Sequence, residues 1–201
     1  MRMRRLMERG RLCAACCVVA ILLAGLSSSR AEQSQAAPLS PKAVEALQLL
    51  ESSDPYKREL GFLRLEALRE PASVEFIKRY AANKDPEVRA YALRALAAIE
   101  GPAAIPALLD AFKRDKQSRV RRAVLLGLEP LRQASPDVDL VATFINALRD
   151  PKPDVRMTAV DIVSRIDEPR ARDAIQARQK REHHRDVRRV LALAKKRMSV
   201  K

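Results

Sequence analysis

The chain has 201 residues and a formal net charge of +14, a length that suits one ordinary domain or a short stack of repeats. The charge is unevenly distributed: residues 1–31 carry a net +5, residues 32–169 carry none, and residues 170–201 carry +9. The high overall charge therefore misdescribes the body, which is neutral and is followed by a basic C-terminal end.

The start of the chain has the layout of a secretory signal peptide, which we assign to residues 1–31. A segment rich in arginine precedes an apolar run of 15 residues, 12–26. Ser29 and Ala31 then place small side chains at the minus-three and minus-one positions of a cleavage site before Glu32. An uncleaved membrane anchor at residues 12–26 is the alternative, although a spanning helix needs about 20 apolar residues. We therefore expect an exported protein, either periplasmic or associated with the envelope.

All three cysteines, Cys13, Cys16 and Cys17, lie within this segment. They stand at the start of the apolar run, whereas a lipid-accepting cysteine belongs at its far end, so a lipoprotein is disfavoured. Because the chain after residue 31 contains no cysteine, it uses neither disulfides nor thiolates for stability or chemistry.

Two recurring residues divide the rest of the chain into five units. Arginines recur at spacings of 31, 32, 35 and 32 residues, at Arg58, Arg89, Arg121, Arg156 and Arg188. Prolines recur at spacings of 30, 31, 34 and 33 residues, at Pro41, Pro71, Pro102, Pro136 and Pro169. After a linker at residues 32–39, this register predicts a repeat region at 40–198. Its repeats are expected at about 40–69, 70–100, 101–132, 135–166 and 168–198.

Each repeat contains two helical patterns. A proline opens the first helix, because its fixed φ suits the first helical position, and Ser40 and Ser135 are candidate N-caps just before it. In repeat two, Asp85 is the candidate N-cap of the second helix. Apolar residues recur at helical spacing, for example at Val44, Leu47 and Leu50. Since no segment alternates like a strand, we predict an all-α fold, an α-solenoid of about five helix pairs stacked to bury their apolar faces.

The segment DPEVRAYALRALAAIEGPAAIPALLDAF, residues 85–112, resembles the short HEAT repeats of the phycobilin-lyase HEAT-like group. The resemblance covers roughly residues 40–197. It implies a ladder of hydrogen bonds between successive repeats, formed by the arginine column and an acidic residue six positions before each arginine. The pairs it implies are Asp115 with Arg121, Asp150 with Arg156, and Glu182 with Arg188.

Repeats one and two depart from this pattern. Ser52 and Asn83 occupy the acidic position before Arg58 and Arg89, so a polar partner is expected there but no charge pair. We interpret the five arginines as struts between repeats and not as a binding row, because an acid accompanies most of them.

Repeat five has the composition of an end cap. Its first helix offers only Ala174 and Ile175 as clear core residues, and charged side chains dominate the rest. Its second helix keeps an apolar side that can dock on repeat four, formed by Val187, Val190, Leu191, Ala194 and Met198.

No sequence motif for catalysis is present. The two histidines, His183 and His184, are adjacent and point about 100° apart on a helix, so they do not form a chelating pair, and we place them in a solvated turn. The sequence therefore predicts no metal, no cofactor, no catalytic residue and no small-molecule substrate, and it predicts a protein that is not an enzyme. The bilin-attaching activity of the phycobilin lyases does not follow from the repeat alone.

The basic C-terminal end is the candidate binding surface. Its exposed cations are expected to be Arg181, Arg185, Arg189, Lys195, Lys196 and Arg197. The alternatives are a merely solvated face, an acidic protein partner, an anionic membrane surface and, less favoured because aromatic residues for stacking are scarce, nucleic acid.

The sequence thus favours an exported, non-catalytic HEAT-repeat scaffold for protein–protein interaction in a bacterial envelope. Two alternatives stay open: a nucleic-acid-binding HEAT-like protein that uses the basic end, and a lyase-like protein that handles a tetrapyrrole.

Overall fold

The computed structural model describes residues 38–199. Within this range the chain forms helices and no strand, which confirms the predicted all-α solenoid. The predicted signal peptide and most of the linker lie outside the described residues. The α-helices of this range are α1 (Pro41–Leu50), α2 (Pro55–Leu68), α3 (Val74–Lys78), α4 (Pro86–Glu100), α5 (Ile105–Arg114), α6 (Ser118–Leu128), α7 (Leu140–Ala147), α8 (Pro153–Val163), α9 (Pro169–Arg181) and α10 (Arg185–Ser199).

The helices alternate between two rows. The odd-numbered helices are the first helices of the five pairs, and short 3₁₀ turns extend two of them, at Pro71–Ser73, Arg79–Ala82 and Gly101–Ala104. The second helices pack directly on one another, from α2 through α4, α6 and α8 to α10, whereas successive first helices make few contacts. The second helices therefore form the tightly packed row of the solenoid.

Of the three predicted N-caps, two are present in the structure. The Ser40 hydroxyl accepts the backbone N–H of Ala43 at 3.2 Å, and Asp85 caps α4, both as predicted. The prediction that Ser135 caps a first helix is wrong. The helix α7 begins at Leu140, and the Asp139 carboxylate accepts the N–H of Ala142 at 3.0 Å. The longer connection after α6 takes up the intervening residues in turns, and the Ser135 hydroxyl is buried without a hydrogen-bond partner in the described chain.

The helix α4 joins two parts of the core. Ala92 and Leu96 belong to the apolar cluster of repeats one and two, whereas Leu93 and Ala97 belong to the cluster that continues through repeats three to five. Because both faces of α4 are buried, this single helix packs in both clusters and connects them.

In α1 the buried stripe is shifted from the predicted one. Ala43, Ala46 and Leu50 are buried, but Val44 is exposed. The cause is the close approach of α2, where Gly61 lies against the backbone of α1: a Cβ there would be 2.8 Å from the Ala46 carbonyl oxygen. Small side chains therefore form this contact in place of Val44.

The last pair docks as expected. Val187, Leu191 and Ala194 of α10 are buried. In α9 the buried residues are Ala171 and Ile175, while the predicted core residue Ala174 is only partly buried. The polar remainder of the pair faces solvent, as an end cap requires.

Residues Pro86–Arg114 are long and apolar enough to cross a membrane by length and composition. They comprise α4, a 3₁₀ turn and α5, and their apolar side chains line the solenoid core. This stretch is accordingly a core helix pair of the repeat region.

Candidate functional site

The arginine column links each repeat to the next. The Arg121 guanidinium donates to both carboxylate oxygens of Asp150, at 2.7 and 2.8 Å, and to the backbone carbonyl of Asp115 at 2.9 Å. Its side chain therefore ties the turn of its own repeat to the turn of the following one. A planar guanidinium with several fixed donors suits this bidentate geometry.

The same arrangement recurs along the solenoid. Arg156 donates to both carboxylate oxygens of Glu182 at 2.8 and 2.9 Å, and Arg89 donates to Asp115 at 2.7 and 3.0 Å. These pairs are mostly shielded from water, and the side chain of Glu182 is only 1% exposed. Removing one partner of a buried ion pair strongly destabilises the folded protein, because the other charge stays buried without a partner.

The ladder between successive repeats that the resemblance implied is present, but the pairs assigned to it are wrong. Arg121 does not bind the Asp115 carboxylate, because that carboxylate faces the preceding repeat, where it accepts Arg89, and also caps the N–H of Gln117. For the same reason Asp150 pairs with Arg121 and not with Arg156. Each acid belongs to the arginine of the repeat before it.

Glu182 shows the same shift in pairing. It binds Arg156 of the preceding repeat, and not Arg188 as implied. It also accepts Arg178, four residues earlier, at 2.5 Å, and the backbone N–H groups of His183 and His184.

The first two repeats do form charge pairs, contrary to expectation. Arg89 pairs with Asp115 of repeat three, so Asn83 contributes only its backbone carbonyl. Arg58 lies 3.9 Å from the Asp85 carboxylate, because the helix N-cap takes the place of the missing acid at position 83. The charge ladder thus extends further towards the N-terminus than the sequence indicated.

Electrostatics favour the ionised ladder acids. Burial by itself raises the pKa of Glu182, but hydrogen bonds from Arg156, from the His184 N–H and from Arg178 outweigh it and lower the pKa to about 2. The pKa of Asp115 is also lowered, because Arg89 and the Gln117 N–H outweigh its burial. Both carboxylates are charged at neutral pH.

Arg188 ends the ladder. Its side chain is exposed, and no carboxylate of the described residues pairs with it. The other four arginines therefore form the predicted contacts between repeats, whereas Arg188 forms none within the described residues.

The predicted basic patch divides into separate groups. Arg185, Arg189 and Lys196 are exposed and share one face of α10 by helical spacing, and the Arg185 side chain is 95% exposed. Arg181 is exposed in the last turn of α9. Arg197 turns back to repeat four, where it donates to the Ser164 hydroxyl at 2.8 Å and pairs with Asp161 at 3.3 Å.

Lys195 belongs to a groove between α9 and α10, at the C-terminal end of the solenoid. The groove has a volume of about 510 Å³. Apolar atoms of Ile175 and Met198 and the side chains of Gln176 and Gln179 line it, and three cations surround them: Arg172, Lys180 and Lys195. An apolar floor with cations around it suits an amphipathic, acidic partner segment.

Three exposed leucines on the second helices escaped the sequence analysis. Leu63, Leu126 and Leu193 are 41%, 43% and 61% exposed, and each lies five residues after a ladder arginine. Arg94 and Asp161 occupy the same position in repeats two and four. The register of the repeat contained this signal, because the position five residues after each ladder arginine is apolar in alternate repeats yet lies outside the buried stripe.

The histidines lie where they were placed, exposed in the turn between α9 and α10. No group of three or more potential metal ligands occurs among residues 38–199. The described residues therefore identify no chelating centre.

A family model of HEAT repeats matches residues 43–129 and 120–194. No curated protein matches the chain. Among solved structures the chain is similar to the complex of CpcE and CpcF of phycocyanin lyase from Nostoc sp. PCC7120, with 23% identity and a TM-score of 0.63. The match covers 76% of this chain and 97% of that one.

This likeness overturns the prediction that the protein is not an enzyme, because the matched structure belongs to a lyase. A missing catalytic motif is therefore no argument against an enzymatic role for such a solenoid. At this identity the likeness itself shows a shared fold. With helix pairs, an inter-repeat arginine ladder and matched repeats over most of its length, the chain belongs to the HEAT-repeat family.

Proposed function

We propose that this protein is an exported HEAT-repeat scaffold that binds a protein partner and acts in a lyase-like role. The observation that carries the proposal is the set of exposed leucines on the second helices, Leu63, Leu126 and Leu193, together with the basic end. Stacked repeats use extended surfaces to bind other polypeptides.

The ladder supplies the rigidity that this role needs. Buried arginine–carboxylate pairs hold successive turns in register, so a partner can bind without large rearrangement of the scaffold. Cations at the C-terminal end increase the rate of encounter with an acidic partner, most strongly at low salt.

The comparison with phycocyanin lyase supports a role in which this chain acts together with a second protein. That lyase structure is a complex of CpcE and CpcF. By analogy, this chain works as one member of a two-protein assembly, with the exposed leucines or the basic end at the contact.

Capture of the partner by crosslinking from the envelope fraction tests the proposal. The wild type is compared with a variant carrying R185Q, R189Q, K195Q and K196Q. A matched control, K42Q, K57Q, K113Q and K116Q, removes the same charge from other exposed positions. The patch variant should retain its helicity and lose most of the captured partner, while the control should retain it.

Several outcomes would contradict the proposal. Equal capture by both variants would reduce the basic end to a solvated face. Residence in the cytosol together with strong, salt-sensitive DNA binding would replace the proposal with a nucleic-acid function. The lyase-like role predicts a client protein that gains a covalently attached, coloured group only when this chain is present. A captured client without such a group would exclude that role.

A further inference from the structure

The open end of the arginine ladder has a defined geometry. Arg89, Arg121 and Arg156 each bind a carboxylate that the next repeat presents in the turn before its second helix. Arg188 occupies the same position in the last repeat and is exposed. Within residues 38–199, the Arg188 guanidinium thus lacks the acid that the next repeat provides for Arg89, Arg121 and Arg156.

The surroundings of Arg188 form one continuous end face. Ala192 and Lys195 follow Arg188 at helical spacings of four and seven residues, so the three share one side of α10. The equivalent positions in α6 and α8 hold buried aliphatic residues against the next repeat. In the last repeat this side is exposed, and Lys195 continues it into the groove between α9 and α10.

A second copy of this chain does not complement the face. The outward side of repeat one carries Lys57 and Arg64, both exposed, where later repeats bury valine, alanine, glycine or isoleucine. Stacking end to end would oppose these cations to Lys195 and Lys180. The charges of the end face instead complement an acidic partner.

From these observations we propose that the end face formed by Arg188, Ala192, Lys195 and the groove docks a helical segment of an acidic partner protein. The partner places an aspartate or glutamate, in the turn before its helix, against the Arg188 guanidinium, and so extends the ladder across the interface. This inference rests on the proposed protein-binding function and adds the site and the chemistry of the partner.

A synthetic peptide provides the probe. It copies residues 147–165, the turn and helix that present Asp150 to Arg121, with R149E, K152E, R156E and R165E to make it acidic. A second peptide also carries D150N. Binding to the purified full-length chain is measured by fluorescence anisotropy at low salt, with wild type, R188Q and the control R185Q, which removes a cation from the same helix one turn before Arg188.

The R188Q substitution should weaken binding of the first peptide about tenfold, and R185Q less than twofold. The D150N peptide should bind wild type about tenfold more weakly and lose little more with R188Q, because the two groups act on each other. Both variants should keep the circular dichroism spectrum of the wild type, since both side chains are exposed.

Three results would overturn the inference: no binding of the first peptide, equal losses with R188Q and R185Q, or additive effects of R188Q and D150N. If R188Q also leaves capture of the natural partner unchanged, the end face is excluded while the proposed function stands. Loss of capture by the four-residue patch variant but not by R188Q would place the partner on the other exposed cations of α10, away from Arg188.

Discussion

The side chain of Arg121 illustrates how one residue type performs two tasks in this protein. One terminal nitrogen closes the turn of its own repeat by donating to the Asp115 carbonyl. The remaining donors cross to Asp150 of the next repeat. A lysine offers a single ammonium group and cannot serve both acceptors with this planar geometry. The period of the arginine column therefore reflects the stacking of repeats.

Replacing Arg121 by alanine should destabilise the protein by about 3 kcal/mol, because it leaves the buried Asp150 carboxylate unpaired. The control Arg122→Ala removes an exposed guanidinium that contacts the Thr158 hydroxyl, and it should cost less than about 1 kcal/mol. Urea unfolding measures both values. A double-mutant cycle should couple Arg121 to Asp150, and coupling to the Asp115 side chain instead would contradict the observed register.

Acid should weaken the last repeat through Glu182. Its pKa of about 2 in the folded protein lies below the ordinary 4.5, so its contribution is complete above pH 4.5 and is lost as the pH falls towards 2. The unfolding free energy of wild type should exceed that of Glu182→Gln by a margin that shrinks by about 3 kcal/mol between pH 5 and pH 2. A margin independent of pH would show that Glu182 acts only by packing.

At the scale of elements, close helix contacts set the geometry of each pair. Gly61 lets α2 approach α1 until a Cβ would lie 2.7 Å from Leu50 Cδ2 and 2.8 Å from the Ala46 carbonyl oxygen. In repeat two, α4 contributes to both core clusters, so its two faces fix the position of one helix pair relative to the next.

Gly61→Ala should destabilise the protein by about 1–3 kcal/mol, since the added methyl group meets backbone that cannot move without displacing α1. This outcome opposes helix propensity, by which alanine is better than glycine by about 1 kcal/mol. The control Ala67→Gly, at an exposed site of the same helix, measures propensity alone. Thermal unfolding followed by circular dichroism compares them, and a stabilised Gly61→Ala would contradict the close approach.

The whole solenoid is stabilised by contacts between neighbours. The described repeats two to four have a neighbour on both sides, whereas repeat five has one and ends the arginine ladder. In such arrays the total stability is close to a sum of repeat and interface contributions. Its end repeats are therefore expected to open before its middle.

Hydrogen exchange should reveal this gradient. Amides of α6 and α8 should exchange at least about tenfold more slowly than those of α1 and α10, because a middle helix opens only when two interfaces are lost. Mass spectrometry of peptides from each helix measures the rates. Uniform protection along the chain would instead indicate that the repeats unfold as one cooperative unit.

The sequence by itself determined the all-α repeat architecture, the caps at Ser40 and Asp85 and the docking of the last helix. These follow from spacing of 3.6 residues and from local turn chemistry, which neighbouring residues encode. The basic end that we propose as a binding surface was also visible in the sequence, because net charge can be counted without coordinates.

Only the tertiary structure decided which charges meet and which stay open. Asp115 and Asp150 each have an arginine on either side in the sequence, and the translation from one repeat to the next selects the earlier one. The same stacking turned Arg197 back to Asp161 and left Arg188 exposed, although both belong to one basic helix. Contacts between residues about 30 positions apart depend on how the repeats pack, and spacing within a repeat does not contain that information.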